Sequence, residues 1–400
     1  MVVVTIGAAF GVLSGRGAMI GMLSAAAMTM VTSLVGGSRY GVSSPTGPMT
    51  AAVAVILLAD QEWIMAHYPD VDPVKLMNLT VIVAGFMLAL FSLLKVHRAI
   101  KWIPQLAVSG FVNGIAVLII LSQFQTSMSG ADLALLAVTF VLSMVASRWD
   151  NQELHLVWRV MAGSFGVILL MSLVSFALSL PVTPLPISGS LSDFSFMAVS
   201  WDLFGWETAG IIVVLAVELA LIALLDTLLT AMILDKKTGT KTQHRRELAG
   251  QSLSFFSVSL FGGLPGAQST VPSMMMVEEG NHHRFSKLLL GALCVALTVL
   301  FVDLLQYVPA AVFGGVIVKI AVDVADLTAF KTLLKTDHKK RFAQLFLILA
   351  VLLSTVLISL NLAVIGCTLF FVFWNQYMPK SWRIPDLVAD TEAEGLSDEI

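Results

Sequence analysis

Apolar residues in this chain run in long blocks separated by short polar links, not in the alternating stripes of a half-exposed sheet. Blocks fall near 1–14, 17–36, 47–59, 76–94, 104–122, 131–147, 157–180, 208–234, 248–261, 266–277, 287–305, 308–325, 341–359 and 361–376. A helix crossing a bilayer takes roughly 20 residues. The blocks at 47–59 and 266–277 are too short for that, and the first, at 1–14, is also short.

The two short internal blocks share a context. One follows Gly41-Val42-Ser43-Ser44-Pro45-Thr46-Gly47-Pro48-Met49-Thr50, the other Gly262-Gly263-Leu264-Pro265-Gly266-Ala267-Gln268-Ser269-Thr270-Val271-Pro272. Proline suits the first turn of a helix and pushes its predecessor toward extended backbone. Each stretch therefore predicts unwound chain entering a half-helix, which at membrane depth must line protein or a polar cavity. They are the third and tenth of fourteen blocks, equivalent places in two sets of seven, and an odd set size requires the second copy to lie inverted. Matched interrupted spans point to a transporter binding site; the plainer alternative is kinked helices packed through small residues.

Composition makes the membrane assignment firm. Of 400 residues, 57% are hydrophobic and 12% charged, with mean hydropathy +0.89. Soluble domains carry about 25% charged residues. The expectation is an all-α polytopic membrane protein, since β-barrel strands would alternate. Cys294 and Cys367 sit in apolar runs and read as packing residues, and no basic stretch precedes the first block as in a signal peptide. Basic residues gather in the links after even-numbered blocks and in the tail, among them Lys95, Arg245, Arg246, Arg284, Lys287 and Lys340. The opposite links carry Asp60, Asp70, Asp132 and Asp193 instead. This asymmetry predicts cytoplasmic termini in a cell membrane, with lipid or partner binding a secondary reading of the basic clusters.

Few residues could carry chemistry. Block eight holds Glu218, Asp226 and Thr230, and the last two, four apart, share a helix face. A carboxylate and a hydroxyl there suit a hard cation such as sodium, completed by backbone carbonyls and Thr270; the carboxylate could equally accept a proton, or act as a structural anchor. Glu218 is a vestibule or packing residue, and Asp235 an interface or gating residue. At the paired half-helix starts, Thr46, Gly47, Thr50, Gly266, Ala267, Gln268 and Ser269 are small or polar, and free N–H groups with positive dipole ends would hold a small anion. Lys319 and Asp323 are spaced for a structural pair. The histidines lack metal-site company, and no nucleotide, phosphate-loop or hydrolase motif occurs, so neither an enzyme nor a nucleic-acid partner is expected.

Several of these stretches resemble the SulP sulfate permease family of inorganic anion transporters. Gly36-Gly37-Ser38-Arg39-Tyr40 through Thr50 is similar to its third-helix motif, and Leu225 to Ala231 with Asp235 to Thr240 is similar to its eighth-helix signature. Arg246 to Gln251, Phe261 to Ala267, Tyr307-Val308-Pro309 and Ser109 to Gly114 follow in the family's order. The resemblance implies a seven-plus-seven inverted repeat with core and gate domains, an anion between the third and tenth helices, alternating access and a homodimer. Bicarbonate, sulfate, chloride and dicarboxylates are family substrates. Asp226, Thr230 and Thr270 match the sodium site of the sodium-dependent bicarbonate members, while proton-coupled members often carry Glu at the first position.

Three departures accompany it. Many members have Arg where this chain has Pro272; a cytoplasmic STAS domain usually follows, and residues 379–400 form only a short acidic tail; and the first helix starts late, with Thr5 near the usual proline. The transporter domain is expected over 1–378, its repeats at about 1–180 and 208–378. The expected function is secondary transport of bicarbonate or sulfate coupled to sodium or protons, the alternatives being an uncoupled channel or exchanger and a non-transporting scaffold.

Overall fold

The computed structural model describes residues 2–54, 57, 72–96, 104–124, 129–148, 164–182, 205, 208–278, 283–301, 307–325, 338–357 and 360–377. Among them are fourteen helices and two short strands. The first half holds α1 (Val2–Leu13), α2 (Ala18–Val35), β1 (Val42–Ser44), α3 (Gly47–Ala54), α4 (Pro73–Leu93), α5 (Gln105–Gln123), α6 (Gly130–Arg148) and α7 (Ser164–Ala177). The second holds α8 (Ala209–Thr238), α9 (His244–Ser259), β2 (Ala267–Ser269), α10 (Thr270–Glu278), α11 (Arg284–Phe301), α12 (Ala310–Val324), α13 (His338–Leu357) and α14 (Leu360–Tyr377). The strand followed by a short helix recurs at the same place in each set of seven.

By length and apolar composition α2, α4 and residues Ala209–Met232 of α8 suffice to cross a membrane. Local chemistry marks several ends. Asp72 caps α4, its carboxylate accepting from Val74 N at 2.9 Å with Pro73 in the first turn. α8 stops at Gly239, whose φ of 67° is the left-handed conformation that a helix end favours.

The chain divides into two compact units. One comprises Met1–His97 with Ser122–Lys319; there α2 packs on α1, α9 and α11, and α8 packs on α4, α3, β2 and α10. The other comprises Arg98–Leu121 with the chain from Ile320. In it Leu106 of α5 and Leu347 and Ile348 of α13 form a buried nucleus, with Phe371 and Trp374 of α14 against it.

Two features depart from the sequence expectation. The unwound approaches to α3 and α10 are not irregular: they pair as antiparallel strands, Val42 opposite Ser269 and Ser44 opposite Ala267. Pairing satisfies backbone groups that hydrocarbon could not. Lys287, grouped above with the basic link residues, lies inside α11 and is 1% exposed. Its Nζ donates to Ser38 O at 2.9 Å and Gly41 O at 3.0 Å, in the loop between α2 and β1. The same loop is held from α9, where Glu247 Oε2 accepts from Gly37 N at 2.6 Å and Ser38 N at 2.7 Å. Carbonyls and amides just beyond a helix end have no intrahelical partner, and here buried charges supply one.

Candidate functional site

The strand pair brings the two half-helix starts together within the first unit. Gly266 permits this: a Cβ there would collide with Ser44 O and lie 2.7 Å from Pro45 Cα. Three tethers fix the ladder from behind. Thr29 Oγ1 donates to Ser43 O at 2.7 Å, Gln251 Nε2 donates to Ser43 Oγ at 2.6 Å, and Val42 N donates to Ser273 Oγ at 2.8 Å. On the α8 side Gln268 N donates to Thr227 Oγ1 at 3.4 Å. Gly47 opens α3 beyond the Ser44 end of the ladder and Thr270 opens α10 at the Ser269 end, so the two N-termini issue from opposite ends of a ladder only three residues long. Thr46 O accepts from Thr50 N at 2.9 Å, the first bond of α3; both residues are buried, yet the Thr50 hydroxyl has no hydrogen-bond partner and the Thr46 hydroxyl faces only the Asp226 carboxyl.

Beside these starts runs the polar face of α8. Thr230 Oγ1 and Thr270 Oγ1 are 2.8 Å apart, so two of the three oxygen donors read from the sequence meet across the helix interface. Asp226 lies one turn earlier on that face, its carboxyl facing the Thr46 side chain, and its Oδ2 is buried without a hydrogen-bond partner. A carboxylate oxygen left over beside two hydroxyls is the chemistry of a hard-cation or proton site, and short helix starts with free N–H groups are the chemistry of an anion site. The orphaned Asp226, Thr46 and Thr50 oxygens fit such occupants.

Other sequence candidates fall differently. The Gln268 side chain is wholly buried and turns onto Gly41, where a Cβ would collide with its amide; Ala267 and Ser269, its strand neighbours, alternate to the opposite face. Glu218 is half-buried, two turns before Asp226. Asp235 anchors the link to α9: Oδ2 accepts from Thr242 N and Oδ1 from Thr242 Oγ1, each at 2.8 Å. Lys319 and Asp323 lie on α12, and the described residues contain no group of three or more His, Cys, Asp or Glu able to hold a metal. The sequence did not single out Thr227, Thr29 or Ser273, which hold the ladder; Thr227 adjoins Asp226, the one available signal.

A model of the sulfate permease family matches residues 1–135 and 131–351. The chain is 27% identical over 333 residues to YbaR of Bacillus subtilis (strain 168), a protein named for sulfate transport, covering 82% of this chain and 65% of that one. It is 26% identical over 381 residues to the bicarbonate transporter BicA of Picosynechococcus sp., covering 89% and 64%. The chain thus spans just under two thirds of these relatives' lengths. The transmembrane domain of a cyanobacterial BicA superposes with a TM-score of 0.78 at 24% identity, over 91% of this chain and 94% of that one. SLC26A9 gives 0.76 at 15% identity, over 94% and 64%. The fold is therefore the seven-plus-seven inverted repeat, with the strand-led half-helices at equivalent positions.

Proposed function

Since this multi-pass membrane chain belongs to the sulfate permease family, we propose that it carries a small inorganic anion, bicarbonate or sulfate, by alternating access coupled to a cation at Asp226. The observation that carries this reading is the meeting of two half-helix starts beside an orphaned carboxylate and the Thr230–Thr270 hydroxyl pair. The anion sits at the N–H groups of α3 and α10, with Thr46 and Thr50 offering hydroxyls and Gly47, Gly266 and Ala267 leaving room for close approach. Asp226, Thr230 and Thr270 supply oxygen ligands to sodium, or Asp226 takes a proton. Either cation offsets the buried anionic charge, which links loading of the two sites. The sequence relation to proteins named for bicarbonate and sulfate transport supports the substrate class.

The test is uptake into proteoliposomes of bicarbonate, sulfate, chloride and fumarate, each with and without an inward sodium or proton gradient. Bicarbonate or sulfate should accumulate uphill under one gradient, and Asp226→Asn should abolish that accumulation. Downhill flux alone would make the protein an uncoupled exchanger or channel. Uptake in Asp226→Asn equal to the parent under both gradients would remove the carboxylate from coupling, and the lack of any saturable anion binding would overturn transport altogether.

A further inference from the structure

Where the C-terminus of α4 meets the N-terminus of α9, the protein has a cavity of about 590 Å³, lined by Leu93, Gln243, His244, Arg245, Arg246 and Ala249 with Ser92 and Thr242. This is the end of the two helices at which basic residues gather. Its back is closed by Ser92 Oγ donating to Arg245 O at 2.8 Å. Both arginines are exposed. Arg246 uses Nε on Val35 O at 2.8 Å, which leaves its terminal nitrogens to face out. The Arg245 guanidinium has no hydrogen bond or ion pair among the described residues. No lining residue is acidic. Glu247, the acidic residue of that turn, is 1% exposed and turned away onto Gly37 and Ser38. Gln243 places no side-chain cap on the α9 N-terminus, so the first-turn amides add to the positive field.

The cavity does not end in water on every side. Phe86, Leu90 and Leu93 recur at helical spacing on one face of α4 and are 56%, 44% and 62% exposed. On α9, Arg246 is followed seven residues later by Leu253, 44% exposed, and the helix is closed after a further seven by its C-cap Leu260, 53% exposed. Small Ala249 lines the furrow between Leu93 and Arg246, and the rings of Phe86 and Phe256, centroids 4.9 Å apart and edge to face, bridge the two helices further along. A soluble anion would use only the cationic head of this furrow. Two guanidiniums leading directly into apolar walls match a molecule with a phosphate at one end and hydrocarbon at the other.

We infer that the α4–α9 furrow is a binding site for an anionic phospholipid, its phosphate at Arg245 and Arg246 and an acyl chain along Leu93, Leu90 and Leu253. The inference rests on membrane embedding alone and is independent of which ion the protein moves. The site lies on helices that hold the anion and cation residues in place: α9 carries Gln251, and α4 packs on α8.

Native mass spectrometry of the purified full chain tests it, with added phosphatidylglycerol, phosphatidylcholine or inorganic phosphate. Phosphatidylglycerol should be retained and the other two not. Arg245→Gln with Arg246→Gln should weaken retention by about fivefold per charge removed, and Leu93→Glu should weaken it with both arginines intact. Arg39→Gln with Lys241→Gln, exposed cations outside the lining, should leave it unchanged. Arg245→Gln alone preserves the test if the double variant does not fold, because that side chain makes no hydrogen bond or ion pair among the described residues. Equal losses in the two double variants would mean diffuse charge attraction, and retention of inorganic phosphate with indifference to Leu93→Glu would mean a soluble-anion site; either result overturns the inference.

Discussion

Replacing Lys287 by methionine keeps most of the stem and removes the ammonium from a site that is 1% exposed. Two carbonyls, Ser38 O at 2.9 Å and Gly41 O at 3.0 Å, then lose their donor. Glu247, the carboxylate in Coulombic reach, loses its counter-charge but keeps the amides of Gly37 and Ser38. The loss of two charge-assisted bonds at roughly 1.5–3 kcal/mol each, less the desolvation cost removed with the ammonium, comes to about 2–5 kcal/mol. Unfolding in mixed micelles with rising dodecyl sulfate, followed by tryptophan fluorescence, reads the change. Lys287→Met with Glu247→Gln should lose less than the sum of the single variants, by about 1–3 kcal/mol. A cost below about 1 kcal/mol, the range of surface pairs, would refute the clamp, as would single-variant costs that simply add.

Gly266→Ala should prevent the ladder from closing against Ser44 O and Pro45, costing about 1–3 kcal/mol as overpacking does, and should weaken anion binding measured by calorimetry far more than Gly210→Ala, where a Cβ meets nothing. Thr230→Val removes the 2.8 Å bond to Thr270; stability should fall by about 1 kcal/mol, sodium-dependent uptake should need more sodium, and Thr230→Ser should restore it. Asp235→Ala should free the α8–α9 link, so that limited proteolysis cuts near Thr240 faster than in the parent.

The half-helices were legible because proline and glycine punctuate the chain wherever they stand, and Asp226 was legible because a carboxylate amid leucines needs a reason. The β1–β2 pairing was not, since three residues are too short to show a period of two and the partners lie in opposite halves of the chain. Gln268 reads from polarity as an anion-site residue; in the ladder its side chain lies against Gly41, with both amide atoms buried and without a hydrogen-bond partner. By charge alone Lys287 belongs with the link residues, because sequence shows a charge and not the carbonyls that fold around it. Asp235 reads from its position as an interface or gating residue; its partners Thr240 and Thr242 lie within seven residues, close enough to suggest a local anchor as well.

The ladder also limits how this protein can move. Pulling α3 away from α10 would strip paired amides and carbonyls into a setting without water, at several kcal/mol for each group left bare. The tethers from Thr29, Gln251, Ser273 and Thr227 would have to yield at the same time. The two half-helices therefore form one stiff cradle woven from both halves of the polypeptide. On the proposed reading, an anion held there would stay with the cradle, and access to it would have to change without separating α3 from α10.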